Sequence, residues 1–317
     1  MATETREPQT LLEAVRFFSD PDVALHFVAG MKWPHGVVCP RCHSKKIGFL
    51  ATRRLWKCKG CAKQFSAKVG TIFEDSPIAL EKWLPAVWML ANCKNGISSY
   101  ELARAIGVTQ KSAWFMLSRI RLMLQSKGGG KLGGKVEADE TYIGGKARNM
   151  HPHRRKAVQR GRGPSKVAVM GLLQRHPGDG MSKVRVNVTE SIKRPHIQAH
   201  VRNNVELGSE MFTDALASYA GLDRDYVHQV IDHAESYVRG EVHTNGLENF
   251  WSLLKRSIKG TYVSIEPFHL FRYLDEQAFR FNERGGKDGD RFMLAMSQFV
   301  GRRLTYKSLT GSEMPLS

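Results

Sequence analysis

Two pairs of cysteines, Cys39-Pro-Arg-Cys42 and Cys58-Lys-Gly-Cys61, stand fifteen residues apart. Each Cys-x-x-Cys closes a tight knuckle with two sulfurs facing one point, and two knuckles complete a tetrahedron of thiolates. That donor set suits a structural Zn²⁺ and leaves no open position, so the ion folds this part of the chain rather than reacting. Short β-like runs and turns surround the pairs, and Trp56 and Phe65 can cover a site too small to have its own core. His35 and His43 lie nearby, but four cysteines already complete the shell. Cys93 has no partner pair and reads as a small buried side chain in a helix. Four of five cysteines in tight pairs point to metal in a reducing compartment, not to a disulfide scaffold.

Charge narrows the partner. The 317 residues hold 48 Lys and Arg against 30 Asp and Glu, a formal net charge of +18. A polyanion is therefore the first partner to consider. Hydrophobic residues at 42% exclude a disordered chain. No apolar run approaches the roughly 18 residues of a membrane span. The opening MATETREPQT has neither the basic start nor the apolar core of a signal peptide. The expectation is a cytoplasmic, nucleoid-associated protein with no membrane partner.

Helical signals flank the cysteines. Leu11 to Val28 forms one amphipathic stretch, with Leu11, Leu12, Val15 and Phe18 on its apolar face. Ser76-Pro77 reads as an N-cap with Pro at the first helical position, and helical patterning continues to about Gln125. Within it, Ser98-Ser-Tyr-Glu101 is a capping box, Gly107-Val108 a turn and Thr109 a second N-cap. A short helix, a glycine turn and a second amphipathic helix make a helix-turn-helix. Gln110, Lys111 and Ser112 would then reach base edges, and Arg119 and Arg121 phosphates. A plain helical hairpin fits the same pattern. Lys127 to Gly134, KGGGKLGG, has the composition of a flexible linker.

β-rich runs follow, at Val136 to Ile143, Lys166 to Leu173 and Lys183 to Val188. The first carries three acids. Glu137 and Asp139 point to one face and Glu140 to the other, because side chains alternate along a strand. Half-buried acids are costly unless they are paired or bind a cation. Asp214 ends another apolar run. In HTNGLENFWSLLKR, Leu247, Phe250, Trp251, Leu254 and Ile258 form a helical apolar stripe, with Glu248, Ser252, Lys255 and Lys259 on another face. Acids on two strands and a helix can hold two Mg²⁺ about 4 Å apart and activate an oxygen nucleophile against a phosphodiester. The plainer alternatives are that Asn245 and Glu248 form a capping box, that Asp214 is an ordinary cap, and that Glu137 and Glu140 are solvated or paired with Lys135 and Lys146.

VEADETYIGGK, FTDALASY and HTNGLENFWSLLKR, preceded by CPRC and CKGC, closely resemble bacterial insertion-sequence transposases of the ISXO2-like (IS1595) family. The likeness runs from about Trp33 to Arg284, and PFHLFRYLDEQAFRFNER resembles that family's closing helix. It implies a multidomain chain: an N-terminal helical segment (1–32), a zinc ribbon (33–75), a helix-turn-helix region (76–126), a linker (127–134), an α/β ribonuclease-H-like domain with a mixed sheet (135–284) and a tail (285–317). It implies that Asp139, Asp214 and Glu248 are the DDE acids holding catalytic Mg²⁺ or Mn²⁺, with Lys255 the basic residue seven positions on. Some branches carry Asn at the third position, and Asn245 and Asn249 flank Glu248. From Lys146 to Lys166 there are eight Lys or Arg and no acid, among them Arg154, Arg155 and Lys156. This stretch and Lys259 would lie along a phosphate backbone. The implied activity is cutting the terminal inverted repeats of a mobile element and joining them to target double-stranded DNA, as a homodimer or larger assembly. The alternatives are a DNA-binding regulator with an inactive α/β domain and a domesticated nuclease of the same fold.

Overall fold

The computed structural model describes residues 7–125, 129–144, 166–176, 178, 180–231 and 243–311. The chain divides into two compact units, residues 1–125 with 286–317, and residues 126–285.

The first unit begins with two helices, α1 (Leu11–Phe17) and α2 (Pro21–Lys32). The single amphipathic stretch expected here is split, because Asp20 caps a new helix with Pro21 at its first position. Of the four apolar residues assigned to its face, only Phe18 is buried. Three short antiparallel strands follow: β1 (Ile47–Leu50), β2 (Leu55–Cys58) and β3 (Gln64–Phe65). Helix α3 (Leu80–Asn92) is the centre of this unit, with Trp83, Leu84, Val87, Trp88 and Leu90 all buried. It starts three residues later than Ser76 suggested, with Ala79 at the N-cap. Ser76 instead accepts from the Ile78 amide and the Trp83 indole, and Lys68 takes the carbonyls of Ser76 and Ile78.

Helix α4 (Ser99–Ile106) has the expected capping box, Ser98 accepting from the Glu101 amide and Glu101 from the Ser98 amide. It ends at Gly107, whose φ of 63° suits a residue without a Cβ. Thr109 caps α5 (Gln110–Leu124). Residues 286–311, within the stretch expected as a tail, return to this unit. Helix α9 (Asp288–Met296) packs on α3, the Asn92 amide donating to the Asp288 carbonyl, and a short α10 (Tyr306–Thr310) follows. Phe292 and Phe299, both about 1% exposed, bring this segment's apolar surface into the core.

Arg119 and Arg121, expected at phosphates, are interior residues, 5% and 1% exposed. Arg119 donates to the carbonyls of Leu304, Ile72 and Glu74. Segments without regular structure leave carbonyls unpaired, and a buried guanidinium with its five donors satisfies them.

The second unit is a five-stranded sheet of order β6-β5-β4-β7-β8. Its strands are β4 (Lys135–Ile143), β5 (Val167–Gln174), β6 (Lys183–Thr189), β7 (Glu210–Asp214) and β8 (Val227–Ile231). β4, β5 and β6 are antiparallel, whereas β7 and β8 run parallel to β4. Helix α6 (Arg194–Asn204) packs on one face through Ile197 and Val201, with Val136, Ala138 and Met211 beneath. Helices α7 (Asn245–Ser257) and α8 (Leu270–Asn282) cover the other through Leu247, Phe250, Trp251, Leu274 and Phe281. The end of the stretch expected as a linker belongs to this unit: Leu132 is buried, and its backbone bonds to Asn204 and Glu206. Among the described residues no helix is long and apolar enough to cross a membrane.

Arg119→Ala should destabilise the first unit by about 2–4 kcal/mol, because it leaves buried carbonyls without donors. Guanidinium unfolding measures this loss.

Candidate active site

The four paired cysteines meet. Sγ of Cys39 lies 3.7 Å from Sγ of Cys61, and Sγ of Cys42 lies 3.5 Å from that of Cys58. All four fall within 4.8 Å of one another. A tetrahedron with Zn–S bonds of about 2.3 Å has edges of about 3.8 Å, so the donor set fits Zn²⁺. The amides of Cys61 and Gly60 point at the Cys58 sulfur and hold its thiol down at about 6. Trp33, Trp56 and Phe65 pack together beside this cluster.

A second group of donors lies in the sheet. The β4–β7 ladder ends at the pair Glu137–Phe212. Asp139 and Asp214 each follow by two residues, so both point to the face covered by α7. Carboxylate oxygens of Asp139, Asp214 and Glu140 come within 4.8 Å of one another. Glu140 belongs to the opposite face, as alternation requires, where Tyr219 donates to it. Its carboxylate still comes within reach of the other two, beyond the last β4–β7 pair.

Each acid on β4 has a partner. Asp139 accepts from the Trp251 indole at 2.9 Å and from the Glu140 amide at 2.8 Å. Burial pushes its carboxyl up, and the nearby charges of Asp214 and Glu248 add to the shift. Burial raises Glu140 further, to about 7, against the opposing bond from Tyr219. Asp214 accepts from the Leu216 amide at 3.1 Å. Glu137 pairs with Arg175 at 2.7 Å.

Glu248 lies in the first turn of α7, exposed, outside the tight group. Thr244 is the N-cap and makes no side-chain bond, so Asn245 and Glu248 do not form a capping box. Glu248, Ser252, Lys255 and Lys259 line one cleft with Asp139 and Glu140, of about 570 Å³. Asn245 and Asn249 do not line it. Trp251 is set in this position by Gly171 on β5, where an added Cβ would sit 2.6 Å from the indole.

Of the residues expected at bases, Lys111 is exposed, its ammonium 5.2 Å from the centre of the Tyr306 ring. Gln110 donates to Ser99 on α4, and Ser112 bonds to Thr109 at the start of α5. Arg154, Arg155 and Lys156 lie outside the described residues.

Residues 131–282 match the ISXO2-like transposase domain, and residues 19–64 match the transposase zinc-ribbon domain. The two segments together cover more than half of the chain. The chain belongs to the ISXO2-like transposase family. A Halobacterium salinarum protein, described as an uncharacterized protein in transposable element ISH50, is 28% identical over 255 residues, spanning 76% of this chain and 84% of its own length. In this ISXO2-like chain the zinc-ribbon match contains all four clustered cysteines, and the transposase-domain match contains the whole five-stranded sheet.

Two contributions to the cleft were not legible beforehand. Glu140 reads from the sequence as pointing away, yet in the fold its carboxylate reaches the other two. Trp251 reads as one member of an apolar stripe, and no sequence signal distinguishes its ring N–H as a donor to Asp139.

Cys58→Ser should lose close to one zinc per chain by metal analysis and unfold the ribbon, seen as loss of its near-ultraviolet signal. Glu140 also gives the metal-free chain a pH dependence. Its folded value, about 7, lies above the ordinary carboxylate range, so the folded chain binds more protons than the unfolded one between about 4.5 and 7. Stability of the second unit should therefore fall as pH rises through that window, by on the order of 3 kcal/mol. Urea unfolding at several pH values in a chelator checks it, and Glu140→Gln should flatten the profile.

Proposed function

We propose that this protein cuts the ends of a mobile DNA element and joins them to target DNA. In this reading Asp139, Asp214 and Glu248 hold divalent cations, Mg²⁺ or Mn²⁺. The observation that carries it is the convergence of Asp139 and Asp214 from adjacent parallel strands, in a chain whose family is a transposase family. Hard cations prefer carboxylate oxygens, and this donor set suits them. When bound, such ions lower the pKa of a water or 3′-hydroxyl and neutralise the charge on the leaving oxygen.

The chain's own residues do the rest. Trp251 fixes the rotamer of Asp139, so one carboxylate oxygen stays turned toward the cleft. Lys255 and Lys259 lie on the same wall as Glu248 and take the phosphates on either side of the scissile bond. The sheet, with three antiparallel strands and two parallel ones, fits the ribonuclease-H-like fold that the family resemblance implies. Helices α4 and α5, joined at Gly107, fit a helix-turn-helix, with Lys111 the exposed residue at the start of its second helix. With the zinc ribbon and the excess of basic residues, they form the part that holds the inverted repeats. Two ends must be cut together, so a homodimer or larger assembly works on double-stranded DNA, in the cytoplasm at the nucleoid.

Asp139→Ala and Asp214→Ala should each lower cleavage and joining of an end-bearing DNA at least about 10³-fold, with DNA binding retained. Glu248→Gln should be comparably impaired. A gel assay of nicked and joined products with Mg²⁺, beside a binding assay on the same DNA, measures both. Cleavage that survives either aspartate substitution overturns the proposal. Specific binding by a wild type that never cleaves identifies a regulator instead.

A further inference from the structure

One deeply buried charge in the second unit is not among the three proposed metal ligands. Glu137 is 1% exposed and lies on the α7 face of β4, two residues before Asp139. One carboxylate oxygen accepts from Arg175 at 2.7 Å. The other accepts from the backbone amide of Leu247 at 2.9 Å, in the first turn of α7. Gly246 lies against the same carboxylate, where an added Cβ would meet its oxygens at 2.8 and 3.0 Å. Arg175 closes the arrangement by donating to the carbonyl of His243 and approaching its Nδ1 at 2.9 Å, while its guanidinium covers the Phe212 ring at 4.2 Å.

The free amides of a helix start attract negative charge, and here the charge comes from a strand. Two elements are thereby joined at a point that neither needs for its own folding. α7 has an apolar stripe on the sheet, and β4 has its ladders. An apolar stripe fixes which face of a helix is buried but tolerates sliding along the axis. A carboxylate bonded to one particular amide does not. Glu248 is the residue after Leu247, and Asp139 is two residues after Glu137, so this bond sets the distance between the acids at its two ends.

We propose that Glu137, held by Arg175, is the positioning residue that clamps the start of α7 to β4 and so places Glu248 opposite Asp139. This rests on the metal-binding reading of the preceding subsection. Glu137 itself does not line the cleft.

Two measurements on the full, zinc-loaded chain test it. The first is hydrogen exchange at the Leu247 amide, which needs no bound ion. Glu137→Ala should speed that exchange at least about tenfold and leave the amides of β5 unchanged. The second is Mn²⁺ binding followed by electron paramagnetic resonance. Loss of a residue that orients a ligand weakens metal affinity about 10- to 100-fold. Glu137→Ala should do so in the wild-type background and add no further loss in a Glu248→Ala background. Glu137→Gln keeps an acceptor for the amide and should recover part of the affinity. If Glu137→Ala does not fold, the pair Glu137→Leu with Arg175→Leu, which removes both charges and the acceptor for the amide, takes its place, with the same expectations. Unchanged exchange at Leu247, or equal weakening with and without Glu248, overturns the clamp. A wild type that binds no Mn²⁺ overturns the metal reading instead, and the exchange experiment still decides whether the clamp exists.

Discussion

Buried carboxylates dominate the second unit. β4 runs through the middle of a sheet covered on both faces, yet it carries Glu137, Asp139 and Glu140. An isolated charge there would be lost to desolvation, so each acid must find a donor or a cation. Glu137 finds Arg175 and the Leu247 amide, Asp139 finds the Trp251 indole, and Glu140 finds the Tyr219 hydroxyl. Those donors come from β5 and its end, from α7 and from the segment after β7. Satisfying the acids of one strand therefore fixes where the surrounding elements sit. Stability and site geometry share the same bonds.

The three acids divide the work according to how fully they are satisfied. Glu137 has a fixed cation and an amide, and it serves the scaffold. Asp139 and Glu140 have one or two neutral donors each and remain raised toward protonation by burial. A carboxylate in that condition has spare acceptor capacity and stands to gain from a divalent ion.

The first unit uses the opposite charge for a similar purpose. Its irregular segments are tied by cations that reach backbone carbonyls: Lys68 to Ser76 and Ile78, Arg119 to Ile72, Glu74 and Leu304, and Arg302 to Gln125. Part of the large positive charge is therefore internal. The charge excess still points to a polyanionic partner, but individual basic residues cannot be assigned to it from helical position alone. Arg119 and Arg121 lie on the same helix as exposed Lys111, yet they turn inward.

Much was legible without coordinates. The cysteine spacing implied a four-sulfur cluster, because Cys-x-x-Cys geometry is local. The capping box at Ser98, the turn at Gly107 and the cap at Thr109 were legible for the same reason: each depends on bonds spanning three or four residues. Three strands of the sheet showed as β-rich runs, one of them alternating. Asp139 and Asp214 stood out as acids on β-like runs, and the family resemblance singled them out as a pair. What the sequence could not decide were facts about distance across the chain. Residues 286–317 carry no pattern that distinguishes a tail from a returning helix, and only the apolar surface of α3 makes the difference. Arg119 meets carbonyls 47 and 185 positions away. Glu140 points away from Asp139 by strand alternation, yet in the folded chain their carboxylates lie together. Local bonds are written in adjacent residues, whereas the partner of a buried charge is whatever the folded chain brings near, and that is settled by packing.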